Sequence, residues 1–181
     1  MIKEYKHAIL FLVKYLAIYL VMNTAYSFYV NSYLPGPDPI TRTVTTQVAG
    51  LLSLFDATVN MSVSEKSKNV PVNRGERTIV EVYEGCNGIN VMVVYVAFVI
   101  AFKGPWKITL LFALFGLLII HIVNLLRVMG LYEVALFFPD KLYFFHKYFF
   151  TGVIYLIVFV LWYFWVNKIK WLQKKLSQES S

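Results

Sequence analysis

Long apolar segments, separated by shorter polar ones, dominate this sequence of 181 residues. The first runs from Ile9 to Val30 and is interrupted only by Lys14 and Asn23. Because a helix needs about 20 predominantly apolar residues to cross a bilayer, this segment predicts a membrane-spanning helix. The alternative is a cleaved signal peptide, but the run is long for one, rich in tyrosine and without a small-x-small cleavage site.

Three further hydrophobic segments bring the predicted number of spans to about four, at residues 9–30, 85–102, 106–126 and 148–166. The second is the weakest, because it begins with four polar or small residues. The chain is 59% hydrophobic and 15% charged, too apolar for an ordinary soluble protein. The predicted fold class is therefore mainly α, a polytopic membrane protein whose single integral-membrane domain covers residues 1–181.

The only long polar region, residues 31–84, predicts a small insertion between the first two spans. Asp38 can cap a helix that has Pro39 at its first position. Apolar residues then recur at helical spacing from Ile40 to Phe55, opposite polar ones. This amphipathic helix either lies on the membrane surface or covers a small outer domain.

Two β-prone segments follow within the same insertion. Residues 59–63 alternate apolar and polar side chains, and residues 78–83 are rich in β-branched and aromatic ones. Turn-forming residues between them predict a β-hairpin or a three-stranded sheet. The last strand would lead directly to Cys86, so the insertion is expected to be either a docking surface for a substrate or a passive cap.

The distribution of charge predicts the orientation of the chain. If the N-terminus with Lys14, the turn around Gly104 and the C-terminal tail share one side, that side carries nine basic and two acidic residues. The other side carries eight of each. Because short flanks rich in lysine and arginine stay in the cytoplasm, both termini should be cytoplasmic and the insertion at 31–84 extracytoplasmic. The net charge of +7 then reflects membrane topology rather than nucleic-acid binding.

Three reactive side chains fall on the same predicted outer border of the membrane. Cys86 begins the second span, Arg127 ends the third and His146 precedes the fourth. A nearby cation lowers a thiol pKa, and an imidazole can take the thiol proton and return it to a leaving amine. A fixed arginine can also stabilise an oxyanion. Together these residues predict a cysteine protease or transpeptidase site.

Each of these side chains also has a structural explanation. A lone cysteine in a membrane helix is usually a small apolar filler, and Arg127 and His146 could both be interfacial anchors. His121 is a rival acid/base, since an ionisable residue at depth is a functional candidate, although it lies about 9 Å deeper than Arg127 along a helix. Asn124 could orient the guanidinium, bond a substrate carbonyl or only contact another helix.

The sequence Glu84-Gly85-Cys86-Asn87-Gly88-Ile89 resembles the Glu-x-Cys-x-Gly motif that begins a helix in the exosortase/archaeosortase family. Asn124-Leu125-Leu126-Arg127 resembles the family's Asn-x-x-Arg motif, and His146 occupies the place of its single downstream histidine. The resemblance covers roughly residues 80–166 and points to the short F-type exosortases of Bacteroidetes. The chain differs from many relatives in having about four predicted spans where they have eight or so. It also differs in its Gly85 and Asn87.

The resemblance implies a cysteine transpeptidase of the cell inner membrane with its active site on the periplasmic side. Such enzymes cut C-terminal sorting signals from exported proteins and transfer the cut protein to an acceptor nucleophile, which is unknown here. Cys86 would be the nucleophile, His146 the acid/base and Arg127 the oxyanion or thiolate stabiliser. Candidate supporting residues are Glu84, Asn124 and His121. Membrane lipid and a small membrane partner protein are further expected partners; no cofactor, metal or nucleic acid is expected.

The competing prediction is a non-catalytic membrane assembly or scaffold protein in which the cysteine is incidental. A transporter is disfavoured because the predicted spans carry no paired carboxylates and no internal repeat. The reactivity of the thiol separates an enzyme from a scaffold. A catalytic Cys86 should react from outside with a membrane-impermeant maleimide, whereas a buried filler should not.

Overall fold

The computed structural model describes residues 2–102 and 104–179; Lys103, which the sequence places in a turn between two spans, lies outside them. The described chain is mainly helical and combines a helical bundle with a small layer of one helix on a sheet. In chain order the elements are α1 (Ile2–Asn31), α2 (Pro39–Ser53), β1 (Val59–Met61), β2 (Val70–Arg74), β3 (Arg77–Val82), α3 (Ile89–Ala101), α4 (Trp106–Phe137), α5 (Leu142–Phe144) and α6 (Phe150–Glu179).

Within the described residues, three helical segments are long and apolar enough to cross a membrane: Tyr5–Asn31, Trp106–Phe137 and Pro139–Ile169. The second predicted span, residues 85–102, differs from expectation, because α3 has only 13 residues. At 1.5 Å per residue it is about 20 Å long, against about 30 Å for the hydrocarbon core of a bilayer.

Two backbone features make α3 short. Gly88, directly before the helix, has a left-handed conformation (φ 87°), so the predicted residues 85–88 do not join it. At the other end Phe102 is extended, and Pro105 lacks the N–H that a continuing helix would use. The apolar run that suggested a full span is therefore helical over only part of its length.

α4 runs to Phe137, well beyond the span predicted at 106–126, and the segment between the last two predicted spans is almost wholly helical. The helix continues because Val128 and Leu131 extend its apolar face and are buried. Arg127, predicted at a helix end, consequently lies inside a helix whose backbone holds it on both sides. This extension carries α4 beyond the bundle and against the outer layer.

The core of the bundle is formed by α3, α4 and α6. Its most deeply buried side chains come from all three helices: Tyr95, Val99, Ile120, Ile154, Val158 and Trp165. The Tyr95 hydroxyl donates to the Phe112 carbonyl at 2.8 Å, which satisfies a polar group inside the bundle. α1 packs on α3, where the rings of Phe11 and Phe98 meet edge to face at 5.3 Å. The short α3 is thus contacted by all three long helices.

The predicted start of α2 is confirmed. The Asp38 carboxylate accepts hydrogen bonds from the backbone N–H groups of Ile40 and Thr41, both at 3.0 Å, and Pro39 occupies the first helical position. These contacts satisfy two of the donors that a helix leaves free at its N-terminus. The entry of the chain into the outer layer is therefore set by local sequence.

α2 covers the sheet, which decides between the two positions that the sequence left open. Its Val48 packs in one buried cluster with Val72 and Val82 of the sheet and with Val128 of α4. Cys86 belongs to the same cluster. The outer layer therefore has its own small core, and the candidate nucleophile forms part of it.

The sheet is antiparallel with the strand order β1-β2-β3, which places β3 at an edge. Val70 lies opposite Val82 and Val72 opposite Val80, and the register shifts between Val72 and Asn73. The chain leaves this edge strand at its C-terminal end and reaches Cys86 within a few residues. The sheet thus delivers the cysteine to the junction between the outer layer and the bundle.

Candidate active site

Cys86 lies in a single 3-10 turn, Glu84–Cys86, between β3 and α3. Its backbone N–H donates to the Tyr83 carbonyl at 2.8 Å. Its own carbonyl accepts from the Asn124 side-chain amide at 3.0 Å, so α4 holds the turn from the other side. The residue is only 5% exposed. The thiol is thus placed by backbone contacts rather than left on a mobile loop.

The residues after Cys86 lock this turn to three helices. Asn87 donates to the Tyr26 hydroxyl of α1 at 2.6 Å and to the Thr41 hydroxyl of α2 at 3.0 Å. Its side-chain oxygen Oδ1 accepts a hydrogen bond from the Ile89 N–H at 3.0 Å, at the start of α3. At Gly88 the left-handed backbone favours glycine, and an added Cβ would lie 3.0 Å from the Asn124 side chain. Asn87 therefore has a structural role in this chain.

His146 comes within hydrogen-bonding distance of the cysteine, with 3.4 Å between its Nε2 and the Cys86 Sγ. It lies in a π-helical turn, Phe145–Phe149. The backbone hydrogen bonds of a π-helix span five residues instead of four, which changes the direction of the side chains. The His146 carbonyl accepts a hydrogen bond from the Thr151 hydroxyl at 3.0 Å, which supports the widened turn. Such turns recur at functional sites.

Arg127 is a buried cation, only 8% exposed. Within the described part of the chain it has no salt bridge, and its buried Nε has no hydrogen-bond partner. Its charge acts on both the Cys86 thiol and the His146 ring. An unpaired charge is costly to bury, so this arrangement favours binding of an anionic group beside the cysteine.

Burial raises the pKa of the Cys86 thiol above its ordinary value. The Arg127 charge and a hydrogen bond from Tyr83 act in the opposite direction, and Glu84 adds to the rise. The thiol is therefore protonated at neutral pH in the absence of substrate. A base in contact with it is needed to generate the nucleophile, and the His146 ring has that position.

Tyr83 is a site residue that the sequence reasoning missed. Its ring folds over Gly85 so closely that a Cβ at Gly85 would overlap the ring. Interaction with Cys86 and burial raise the pKa of Tyr83, so the phenol keeps its proton beside the cysteine. Gly85 in the motif was the available signal, because the residue lacking a side chain makes room for a neighbour.

The three candidate supporting residues have separate surroundings. Glu84 pairs with Lys68 at 3.5 Å and opposes ionisation of the thiol. His121 contacts Gln47 of α2 at 2.9 Å. Asn124 holds the Cys86 turn, and its buried Oδ1 has no partner among the described residues. His146, not His121, is therefore the histidine in contact with the cysteine.

A cavity of about 440 Å³ opens beside Cys86 and His146. One wall is β3, the other is formed by α4 and the segment that begins with α5. Besides the two reactive residues, the lining consists of Ile79, Val80, Glu81, Val82, Val128, Leu131, Leu142 and Tyr143. The cavity is mainly apolar and large enough for a short stretch of peptide.

Comparisons with known proteins identify the family. A family model described as transmembrane exosortase matches residues 4–172, which is nearly the whole chain. Comparison with curated proteins and with solved structures gave no match. The matched region includes the cysteine turn, the buried arginine and the histidine of the π-helical turn. The chain belongs to the transmembrane exosortase family.

Proposed function

We propose that this protein is a membrane cysteine transpeptidase that cleaves the C-terminal sorting signals of exported proteins. Cys86 is the nucleophile, His146 the general acid/base and Arg127 the stabiliser of developing negative charge. The observation that carries the proposal is the buried Arg127, whose Nε has no partner among the described residues, together with a cysteine and a histidine in contact at 3.4 Å. A scaffold gains nothing from a buried charge without a partner.

In the first half-reaction the Cys86 sulfur attacks the scissile carbonyl carbon while the thiol proton passes to Nε2 of His146. The negative charge then rests on the carbonyl oxygen, near the Arg127 guanidinium. When the carbon–nitrogen bond breaks, His146 returns the proton to the leaving amine. The products are a thioester on Cys86 and the released C-terminal segment.

In the second half-reaction an acceptor nucleophile attacks the thioester. His146 takes the acceptor's proton, the carbon–sulfur bond breaks and the proton returns to the Cys86 sulfur. Water in place of the acceptor would give hydrolysis by the same steps. The Tyr83 hydroxyl, which keeps its proton beside the cysteine, can donate to the thiolate each time it leaves or attacks.

The remaining assignments rest on the family and on the sequence. We place the enzyme in the cell inner membrane, with both termini in the cytoplasm and the site on the periplasmic side. We assign it to the short F-type exosortases of Bacteroidetes because of its motifs at Cys86, Arg127 and His146. Its proposed partners are sorting signals, an acceptor nucleophile, membrane lipid and a small membrane protein.

Replacing Cys86 by Ala should cause specific exported proteins to retain their C-terminal hydrophobic helix. The variant removes the nucleophile while keeping a small apolar side chain in the buried cluster. Mass spectrometry of C-terminal peptides from the source cells, wild type against variant, measures this directly. If no exported protein changes its C-terminus while the variant is present in the membrane at wild-type abundance, the transpeptidase proposal is wrong and a scaffold role replaces it.

The proposed orientation predicts where reporter fusions will lie. Fusions at Lys66 and at Lys141 should both be extracytoplasmic, and a fusion at Lys174 should be cytoplasmic, because basic flanks stay inside. Paired reporters, one active only outside and one only inside, provide the measurement and its control. Opposite locations for Lys66 and Lys141 would contradict the orientation.

A further inference from the structure

The outward edge of β3 is open to hydrogen bonding. Glu81 lies opposite Pro71 of β2, and proline has no backbone N–H to donate. The Pro71 carbonyl instead accepts from Ser62 on the β1 side at 3.3 Å. Directly opposed residues in an antiparallel pair alternate between hydrogen-bonded and non-hydrogen-bonded pairs. Because the Pro71 carbonyl points toward β1, Pro71 and Glu81 form a non-hydrogen-bonded pair. The Glu81 N–H and carbonyl therefore point away from β2.

The residues that carry this outward edge line the cavity beside the nucleophile. Residues 79–82 of β3 line the same 440 Å³ space as Cys86 and His146. Across that space lie α4 and α5, which are helical and therefore offer no strand edge that could pair with β3. Outside the sheet, the Glu81 N–H and carbonyl have no backbone partner among the described residues. The unsatisfied edge and the reactive pair therefore belong to one site.

We propose that the substrate segment carrying the scissile bond binds in extended form as a fourth strand on β3. This inference rests on the proposed transpeptidase function and adds how the sorting signal is held. Main-chain hydrogen bonds to an exposed edge give affinity, while pockets for alternate side chains give specificity. The apolar cavity lining predicts uncharged, apolar side chains at the positions that point inward.

Strand addition also explains how one cysteine is aimed at one carbonyl. Successive residues of a strand rise by about 3.3 Å, so pairing with β3 fixes which peptide carbonyl reaches the sulfur. The chain passes from β3 into the Cys86 turn without a flexible linker. Pairing with the edge strand would therefore set the position of the substrate along the chain relative to Cys86.

Glu81→Pro tests the edge, because it removes an outward N–H without removing a bond to β2. We expect processing of the sorting-signal proteins to fall about tenfold or more. The matched control is Glu81→Ala, which loses the carboxylate and its 2.8 Å bond from Asn69 but keeps the N–H; the further loss of processing in Glu81→Pro relative to Glu81→Ala then measures the contribution of the N–H. Wild-type processing by Glu81→Pro would overturn the proposal.

A second measurement uses the unmodified protein, so it tests the proposal even if the proline variant does not fold. The probe is a series of acetyl-trivaline aldehydes, N-methylated at one amide at a time. The thiol adds to the aldehyde, with sulfur on carbon and the proton on oxygen, and this protects Cys86 from alkylation by iodoacetamide. Strand addition predicts that N-methylation abolishes protection at alternate residues only. No protection by any peptide, or equal loss at every position, would count against it.

The two proposals fail in different ways. If Cys86→Ala leaves all exported proteins processed, the transpeptidase function fails, whatever happens at Glu81. If Cys86→Ala blocks processing but Glu81→Pro processes normally, only the edge-strand inference fails. Iodoacetamide alkylation of Glu81→Pro, expected within about twofold of wild type, shows that the reactive residues are still in place.

Discussion

Cys86→Ser should abolish processing of sorting signals, a loss of about 10³-fold or more, while the protein remains in the membrane. Serine is close to cysteine in shape and keeps a hydrogen-bonding group toward His146. However, its hydroxyl is a far weaker nucleophile near neutral pH, because it supplies almost no anion. Processing is measured as the ratio of full-length to cleaved substrate, and abundance as the amount of variant in the membrane fraction.

The control for this substitution is His121→Ala. It removes an ionisable side chain from α4, the helix that also carries Arg127, but one that contacts Gln47 rather than the cysteine. It should lower stability more than turnover. Full processing by Cys86→Ser would show that this site is not the transpeptidase site, and loss of processing in His121→Ala at normal abundance would transfer the acid/base role.

Arg127→Lys and Arg127→Ala should both reduce processing by about 10²–10³-fold, the cost of losing a fixed oxyanion contact. Lysine keeps the charge but not the planar fork that can reach a thiolate and an oxyanion together. Alanine removes both. Similar losses in the two variants would indicate that Arg127 acts through geometry, whereas high activity in Arg127→Lys would contradict that assignment.

The pH dependence of Cys86 alkylation separates charge from geometry. Burial raises the pKa of Cys86 and the Arg127 charge opposes that rise. Arg127→Ala removes the opposition, so the midpoint of iodoacetamide alkylation should move to higher pH; Arg127→Lys should leave it near the wild-type value. A variant with a normal midpoint but low processing has lost oxyanion stabilisation alone. An unchanged midpoint in Arg127→Ala would mean that the guanidinium does not act on the thiol.

Local sequence predicted the elements of the outer layer well. The Asp38 cap and Pro39 are contacts between close neighbours, and the β-branched and aromatic residues of 78–83 favour a strand regardless of what packs on it. The extent of α3 and α4 was predicted poorly. Apolar composition indicates a helix in a membrane but does not set its ends, which depend here on the Gly88 conformation and on burial of Val128 against the sheet.

The candidate site shows the same division. Motif spacing selected Cys86, Arg127 and His146, and the order of spans predicted that they lie at one border. Local sequence carried no sign of the π-helical turn that brings His146 to 3.4 Å from the sulfur. Nor did it reveal Tyr83 over Gly85, since that contact is a matter of side-chain direction rather than residue type.

The sequence by itself determined membrane insertion, the helix and strands of the outer layer, and the three reactive residue types, because hydropathy, caps and motifs act over short stretches of chain. Only the tertiary structure decided that Arg127 is buried with no partner for its Nε among the described residues, that His146 rather than His121 contacts Cys86, and that β3 lines the same cavity as the nucleophile. These properties depend on packing between α4, the sheet and the π-helical turn, which lie far apart in sequence and meet only when the chain folds.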